Sequence, residues 1–302
     1  MTDRRTVEVD GVSISYLTAG ERGPLALLLH GTYWSRVWAR VIDELAAAGL
    51  RPVAVDFPGF GRSGGELTVA DASIPSLSAW LVRFLRAIRA NGPVMVAGHD
   101  IGGGVAQHFL VSEAVEVPRI ALVNAVMYDS WPAPGVARFR DPKVAAATSA
   151  ADVLAARRVS VIKALGRPAS EAEIAEYLDP WRDPRVARSW LALAGAADNR
   201  YTLELLPSLR KSTTPKLLVW GEDDEFQRVE NAERFAAEMP ATALRRIRFA
   251  GHIPMENDPG AVARALAAFF SGPSVNSDMI DDHEQRMSWS GSAGGRHAIT
   301  PE

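Results

Sequence analysis

A glycine-rich turn at residues 98–103 restricts the fold of this chain more than any other feature. It follows a short apolar run, residues 94–97, and it opens a segment with helical spacing, residues 102–111. Small flanking residues allow a tight strand-to-helix turn, because they bring no Cβ against the neighbouring backbone. The spacing G-x-D-x-G in this setting predicts a nucleophile elbow with Asp100 at its tip.

The rest of the chain alternates apolar runs with amphipathic segments. Two short strands are expected within residues 7–18, around a turn at Asp10-Gly11, and helices over residues 38–48, 74–90 and 261–270. Buried strands are expected at residues 25–29, 52–56, 120–126, 216–220 and 243–249. This alternation predicts an α/β fold: a mostly parallel sheet with helices on both faces.

The strand pattern stops between residues 131 and 209, where the chain is rich in Ala and Arg and has helical periodicity. We therefore expect a helical cap (lid) domain at 131–209, inserted into a core domain formed by residues 1–130 and 210–272. Residues 273–302 are polar, Gly/Ser-rich and without periodicity, which predicts a disordered C-terminal tail.

Composition narrows the function classes. The chain has no cysteine, which excludes disulfides, thiolate metal sites and a cysteine nucleophile. Its net charge of −3, without a long charged run, gives no reason to expect nucleic acid or a membrane as partner. The charged N-terminus resembles no signal segment, so we expect a cytoplasmic protein. We expect no metal and no organic cofactor, and the oligomeric state is left open.

An aspartate at the elbow determines the chemistry. Asp100 is ionised at neutral pH, and a carboxylate attacks sp³ carbon to form an alkyl ester. Hydrolysis of that ester needs a base, and His252 follows the last predicted strand. Asp223 and Asp224, after the strand at 216–220, are the candidate acids to orient the imidazole. The simpler interpretations are a helix N-cap for Asp100 and a surface loop histidine for His252.

With these motifs the chain resembles the α/β-hydrolase superfamily, in the aspartate-nucleophile branch that contains epoxide hydrolases and haloalkane or haloacid dehalogenases. The matching stretches are His30-Gly31 and residues 56–63, 98–103, 220–224 and 251–252. There are departures from the family pattern. Tyr33 stands where many epoxide hydrolases have Pro, and Thr32 and Ile101 stand where many haloalkane dehalogenases have the Asn and Trp that bind halide. The Arg that follows the nucleophile in fluoroacetate-type dehalogenases is also missing.

The resemblance implies roles for further residues. It favours Asp224 as the acid, because the family's acid lies three residues after the Gly. It implies an oxyanion hole made by the backbone N–H groups of Thr32 and Ile101. His30 and His99 are expected to be packing residues rather than ligands, since no partner lies at metal spacing.

The cap is expected to complete the pocket. In the family, lid tyrosines protonate the opening epoxide, and the candidates here are Tyr201, Tyr177 and Tyr128. Trp34 and Trp131 are candidates for the lining of an apolar pocket, although buried tryptophans are more often plain packing. The cap arginines are expected to lie on solvated faces; they are Arg157, Arg158 and Arg185.

The preferred function at this point is that of an epoxide hydrolase acting on a small apolar organic substrate. A dehalogenase that uses the same Asp100 attack, with halide as the leaving group, is the alternative. A third hypothesis is a non-hydrolytic protein of this fold, either a biosynthetic cyclase or a ligand-binding protein, because a fold does not determine a function.

Overall fold

The computed structural model describes residues 1–272, and the predicted tail at 273–302 lies outside them. Eight strands form one sheet in the order β1-β2-β4-β3-β5-β6-β7-β8. The strands are β1 Asp3–Val9, β2 Val12–Thr18, β3 Leu25–Leu29, β4 Arg51–Val55, β5 Val94–Asp100, β6 Ile120–Ala125, β7 Lys216–Gly221 and β8 Thr242–Ile247.

The helices of the core are α1 Ile42–Ala47, α2 Ile74–Ala87, α3 Ile101–Val111, α11 Val229–Glu238, α12 Pro254–Asn257 and α13 Pro259–Ser271. Between β6 and β7 lie α4 Pro134–Ala137, α5 Pro142–Ala147, α6 Ala150–Leu165, α7 Glu171–Leu178, α8 Pro184–Ala196, α9 Arg200–Leu203 and α10 Leu206–Leu209. Short 3₁₀ helices occupy Ser35–Trp38, Arg138–Arg140 and Asp179–Arg182.

The sheet is parallel from β4 through β3, β5, β6 and β7 to β8, and only the β1–β2 hairpin and its pairing with β4 are antiparallel. All residues of β3, β5 and β6 are buried, because helices cover both faces of the central strands. The predicted fold class is therefore confirmed. The hairpin turns at Asp10 and Gly11, both at positive φ, as a two-residue hairpin loop requires.

Most element boundaries agree with the sequence pattern to within a few residues, with one exception. The helix expected at residues 38–48 is divided into a 3₁₀ turn, Ser35–Trp38, and the short helix α1. The Ser35 N–H donates to Asp56 Oδ1 at 2.7 Å, which fixes the start of this turn against the end of β4. No helix among residues 1–272 is long and apolar enough to cross a membrane.

The long cap helix α6 begins and ends at clear signals. Ser149 and Asp152 form a capping box at its start, and Gly166 in the left-handed conformation ends it. The helix packs on α7, on α8 and on α12, the short helix that follows the predicted catalytic histidine. One face of α6 therefore lies directly over the carboxyl edge of the sheet, where β3, β5, β6 and β7 all end.

Candidate active site

The turn after β5 has the strained geometry of an elbow. Asp100 has φ 54° and ψ −125°, a region that non-glycine residues seldom occupy. A Cβ on Gly98 would lie 2.3 Å from the carbonyl oxygen of Gly102, and one on Gly31 would lie 2.4 Å from Asp100 Oδ2. Glycine at these two positions therefore lets the turn close and lets the β3 loop approach the carboxylate.

The Asp100 carboxylate faces three donors. Thr32 donates to Oδ2 through both its backbone N–H and its hydroxyl, each at 3.0 Å. His252 Nε2 lies 4.0 Å from the same oxygen. Burial alone would raise the pKa of Asp100, but the charge of His252 and the Thr32 N–H outweigh it and hold the pKa well below its usual range. A residue only 7% exposed is thus kept ionised.

His252, Asp224 and Asp100 are brought together. His252 Nδ1 lies 2.9 Å from Asp224 Oδ2, on the side of the ring opposite the nucleophile. Burial opposes the charge on His252, but Asp224 and Asp100 outweigh it and raise the pKa of the imidazole to about 10. Asp223 is exposed to solvent, whereas Asp224 is buried, so the geometry favours Asp224 as the orienting acid.

Asn124, which sequence reasoning missed, holds the acid. Its Nδ2 donates to Asp224 Oδ2 at 2.7 Å, and its Oδ1 accepts the N–H of Gly221 at 3.0 Å. The Phe226 N–H donates to the other carboxylate oxygen, Oδ1, at 2.7 Å. Burial opposes the charge on Asp224, but the charge of His252 and the hydrogen bonds from His252 and Asn124 outweigh it, so the pKa of this carboxyl is lowered. A polar residue at the end of a buried strand was the available signal.

His30 and His99 serve as supports, as their spacing suggested. His30 donates from Nδ1 to the Gly31 carbonyl at 2.8 Å, and its Nε2 accepts the Phe57 N–H at 3.0 Å, so the ring is neutral. His99 Nε2 donates to the His252 carbonyl at 2.8 Å. Burial is the main cause of the lowered pKa of both imidazoles. The pKa of His99 falls to about 4, and the pKa of His30 also falls.

Tyr33 enters the site from the core rather than from the cap. Its ring centroid lies 6.2 Å from those of His99 and His252. Burial raises the pKa of its hydroxyl far above the usual value, so the group keeps its proton. In the sequence this residue stood out only as a departure from a family pattern, and its side chain was not among the candidates.

The expectation of a solvated Arg157 is wrong. The residue is 5% exposed, and its Nη2 donates to the Thr32 carbonyl at 3.1 Å. Val153, Arg157 and Val161 occupy the buried face of α6 at a spacing of four residues. That periodicity was a signal for burial, but the positive charge argued against it. Arg158, the next residue, is exposed and pairs with Glu171. Arg185 is half-buried and donates to the Gly65 carbonyl.

The predicted lid tyrosines do not converge on the nucleophile. The Tyr177 hydroxyl donates to Glu256 Oε1 at 2.8 Å. Tyr128 follows β6 at φ 50°, and this turn directs its ring onto Phe235 of α11, with centroids 6.2 Å apart. Tyr201 is half-buried on α9, and within residues 1–272 its hydroxyl makes no hydrogen bond. Within residues 1–272 none of the three hydroxyls makes a hydrogen bond to Asp100, and Tyr128 and Tyr177 are directed to other neighbours.

Both predicted pocket tryptophans are buried, and both use their indole N–H elsewhere. Trp34 Nε1 donates to the Tyr177 carbonyl at 3.2 Å, which joins the β3 loop to the cap. Trp131 Nε1 donates to Thr202 Oγ1 at 2.8 Å, which joins the first cap residue to α9. The Trp34 bond therefore attaches the cap to the core, and the Trp131 bond lies within the cap.

Glu256 connects the cap to the loop that carries His252. Its buried carboxylate accepts the Tyr177 hydroxyl and pairs with three arginines, from the 3₁₀ turn, the following loop and the cap: Arg36, Arg40 and Arg167. Glu256 follows His252 by four residues, so this cluster joins the cap to the segment that carries the imidazole. Within residues 1–272 no group of three or more acidic or histidine side chains is arranged to hold a metal ion.

A parallel sheet that carries an acidic residue at a strand–helix elbow, with a histidine and a second acid on the loops after the last strands, defines a protein of the α/β-hydrolase class. The more specific assignment follows from the family comparison. A family model described as "Alpha/beta hydrolase family" matches residues 26–265, and the chain belongs to this family.

The chain is similar to proteins named as haloalkane dehalogenases and to proteins named as epoxide hydrolases. A haloalkane dehalogenase from Mesorhizobium japonicum is 26% identical over 294 residues, covering 88% of this chain and 90% of the relative. Epoxide hydrolase 4 from Mus musculus is 27% identical over 256 residues, covering 75% of this chain and 67% of the relative. The solved haloalkane dehalogenase DbeA from Bradyrhizobium elkani superposes with a TM-score of 0.77 at 22% identity, covering 90% and 98% of the two chains, and this likeness shows the fold.

Proposed function

We propose that this chain hydrolyses substrates at an sp³ carbon through a covalent alkyl ester on Asp100, and that it acts as an epoxide hydrolase. The observation that carries the proposal is the position of one buried, ionised carboxylate between a paired histidine and the Thr32 donors. A group that is already charged needs no base for its attack, so the histidine is reserved for the second step.

The first step opens the epoxide ring. An Asp100 oxygen bonds to a ring carbon as the carbon–oxygen bond breaks, and the electron pair stays on the departing oxygen. Tyr33, which keeps its proton because burial raises its pKa, supplies that proton to the oxygen. Tyr128 and Tyr177 are directed to other neighbours, so we assign this role to the core residue Tyr33, whose ring lies beside His252. The product of this step is a hydroxyalkyl ester of Asp100 and a Tyr33 phenolate.

The second step depends on a change of charge. Ester formation removes one of the two carboxylates that hold His252 in its charged form, so the pKa of the imidazole falls. His252 then returns a proton to the Tyr33 phenolate, whose ring lies beside it. The neutral imidazole, oriented by Asp224, removes a proton from water as the oxygen attacks the ester carbonyl. The diol leaves, and the Asp100 carboxylate and the charged His252 are restored.

A dehalogenase is the alternative, and one observation favours it. The Arg157 guanidinium lies within 6 Å of the ring centroids of Trp181 and Trp190, and a cation in such surroundings suits an anionic leaving group. In this reaction Asp100 displaces halide from the carbon, and the electron pair of the broken bond leaves with the halide. Loss of the Asp100 charge lowers the pKa of His252, which releases its proton to solvent because no phenolate forms in this reaction; the neutral imidazole then activates water for hydrolysis of the ester.

Oxygen-18 water tests the shared intermediate. In a single turnover, the ester mechanism places the label in the Asp100 carboxylate, which mass spectrometry of the peptide that contains it detects. Label in the product alone would contradict the ester, and absence of any label would support the non-hydrolytic hypothesis.

His252→Gln should accumulate the alkylated peptide, because the attack on carbon does not use the imidazole. Diol formation from styrene oxide, set against chloride release from haloalkanes, distinguishes the two leaving groups.

A further inference from the structure

We propose that Arg157 binds a carboxylate on the substrate, so that the substrates of this site are short epoxy acids or halo acids rather than uncharged molecules. The inference rests on the proposed attack of Asp100 and identifies the substrate class. It differs from the apolar substrate that the sequence suggested, because the sequence analysis placed Arg157 on a solvated face, whereas the residue is buried against the Thr32 loop.

The electrostatic surroundings of Arg157 favour a bound anion. Its side chain is buried, yet within residues 1–272 no carboxylate lies within 4.0 Å of it, and its Nε has no hydrogen-bond partner. Three aromatic rings surround the guanidinium, at 4.7 Å from Tyr33, 4.9 Å from Trp181 and 5.8 Å from Trp190. Aromatic faces offset only part of the lost hydration of a cation. A buried charge without a counter-ion is expected to recruit one.

The position of Arg157 fits a substrate that bridges to the nucleophile. Its Nη2 contacts the Thr32 carbonyl, and the N–H of Thr32 contacts Asp100 Oδ2. One residue of backbone between these two bonds limits the separation of guanidinium and carboxylate to about 10 Å.

A reacting carbon about 3 to 3.5 Å from the nucleophile leaves room for one or two further carbons and a carboxylate. That carboxylate would accept a charge-assisted hydrogen bond from the guanidinium. Several other arginines near the cap have acid partners already. Arg36, Arg40 and Arg167 pair with Glu256, and Arg158 pairs with Glu171. Arg157 is thus distinguished from its neighbours by burial, by its lack of an acid and by its contact with the loop that holds Asp100.

Non-reacting probes test the inference apart from catalysis. Titration calorimetry of the full chain compares propionate with propionamide, which has nearly the same shape without the charge. We expect propionate to bind roughly 100-fold more tightly, the range for a hydrogen bond between charged groups. Arg157→Met should abolish the preference, and Arg157→Lys should keep part of it. Arg158→Met, one residue away on the exposed face, should leave it unchanged.

The outcomes separate the two proposals. Equal affinity for the acid and the amide, or a preference that survives Arg157→Met, would overturn the anion site while leaving the ester on Asp100 intact. A preference with the expected variants, but without oxygen-18 in Asp100, would contradict the proposed function and support the anion site. If Arg157→Met fails to fold by circular dichroism, the acid–amide comparison on the unaltered chain still decides. Turnover of glycidate with little turnover of glycidamide supports the inference, and equal turnover contradicts it.

Discussion

Replacing Asp100 by asparagine should lower the pKa of His252 by about 3 units. The amide has nearly the shape of the carboxylate and no charge, so it reproduces the electrostatic state of the alkyl ester. In the unaltered chain His252 is flanked by two acids, with Asp224 at 2.9 Å and Asp100 at 4.0 Å. The substitution removes one of them and leaves the imidazole in the same hydrogen bond to the other.

The size of the expected pKa shift follows from the distance between Asp100 and His252. Two unit charges 4.0 Å apart interact by about 4 kcal/mol at an effective dielectric constant of 20. One pKa unit corresponds to about 1.4 kcal/mol, so the loss of Asp100 removes about 3 units. The pKa of His252, about 10 in the unaltered chain, should then be about 7. A histidine with that pKa is a competent base at neutral pH, which is what hydrolysis of the ester requires.

The assay is a pH titration of the imidazole ¹⁵N and ¹H shifts, with His252→Gln to assign the resonance among the six histidines. Asp223→Asn is the matched control, because that acid is exposed, and it should move the pKa of His252 by less than half a unit. A fall of less than one unit in Asp100→Asn would refute the electrostatic account of how the histidine becomes a base.

The same shift predicts how stability depends on pH. A folded-state pKa above the unfolded value of 6.5 stabilises the fold fully below pH 6.5, and this contribution is lost as pH rises towards about 10. In Asp100→Asn the loss should be complete near pH 7. Chemical denaturation of both proteins between pH 6 and 10 measures the difference, which should decrease with rising pH. A constant difference would contradict the linkage.

Three further predictions concern residues around the site. Asp224→Ala should slow hydrolysis of the ester at least 100-fold, so that alkylation of Asp100 becomes faster than hydrolysis. The control Asp223→Ala should change neither rate by as much as twofold, and rapid-quench kinetics measures both rates. Gly98→Ala should lower the free energy of unfolding by about 1 to 3 kcal/mol, since its Cβ would meet backbone at 2.3 Å; an unchanged melting temperature would contradict this. Tyr177→Phe should lower the free energy of unfolding by about 1 to 3 kcal/mol, because Glu256 loses a buried hydrogen-bond donor. Urea denaturation measures this difference.

The sequence was sufficient for the elbow and for the residues around it, because these are determined locally. A turn between a buried strand and a helix places Asp100, and two further strand ends place His252 and Asp224, whatever the cap does. In a parallel sheet the carboxyl ends of neighbouring strands meet at one edge, so the order of strands along the chain was enough to bring these side chains together.

The cap residues could not be placed in the same way. The directions of Tyr128 and Tyr177 depend on packing against α11 and on the Glu256 cluster, which are contacts between segments far apart in the chain. Arg157 was misplaced for a different reason. Its spacing on α6 indicated burial, whereas its positive charge favoured a position in solvent, and the prediction followed the charge. When a charged residue interrupts an apolar face at helical spacing, the periodicity is better evidence of its position.

The charges of the closed site connect the two proposals and yield a last prediction. Asp100 and Asp224 both pair with His252, so the formal charges of these two acids, His252 and Arg157 sum to zero although neither acid pairs directly with Arg157. An ester formed from an uncharged substrate leaves Arg157 without compensation, and this cation would depress the pKa of His252 further. A carboxylate bound to Arg157 removes that effect, so propionate should raise the pKa of His252 in Asp100→Asn.

At about 10 Å and the same dielectric constant, one charge is worth about 1 pKa unit, which is the size of the rise that we expect. The NMR titration of Asp100→Asn, repeated with saturating propionate and then with the same concentration of propionamide, measures it. The amide should leave the pKa unchanged, as should propionate when Arg157→Met is added to Asp100→Asn. An equal rise with acid and amide would contradict neutralisation of the guanidinium, because the amide carries no charge and burial of the imidazole by a ligand would lower its pKa. A fall with propionate would mean that the carboxylate does not lie at Arg157.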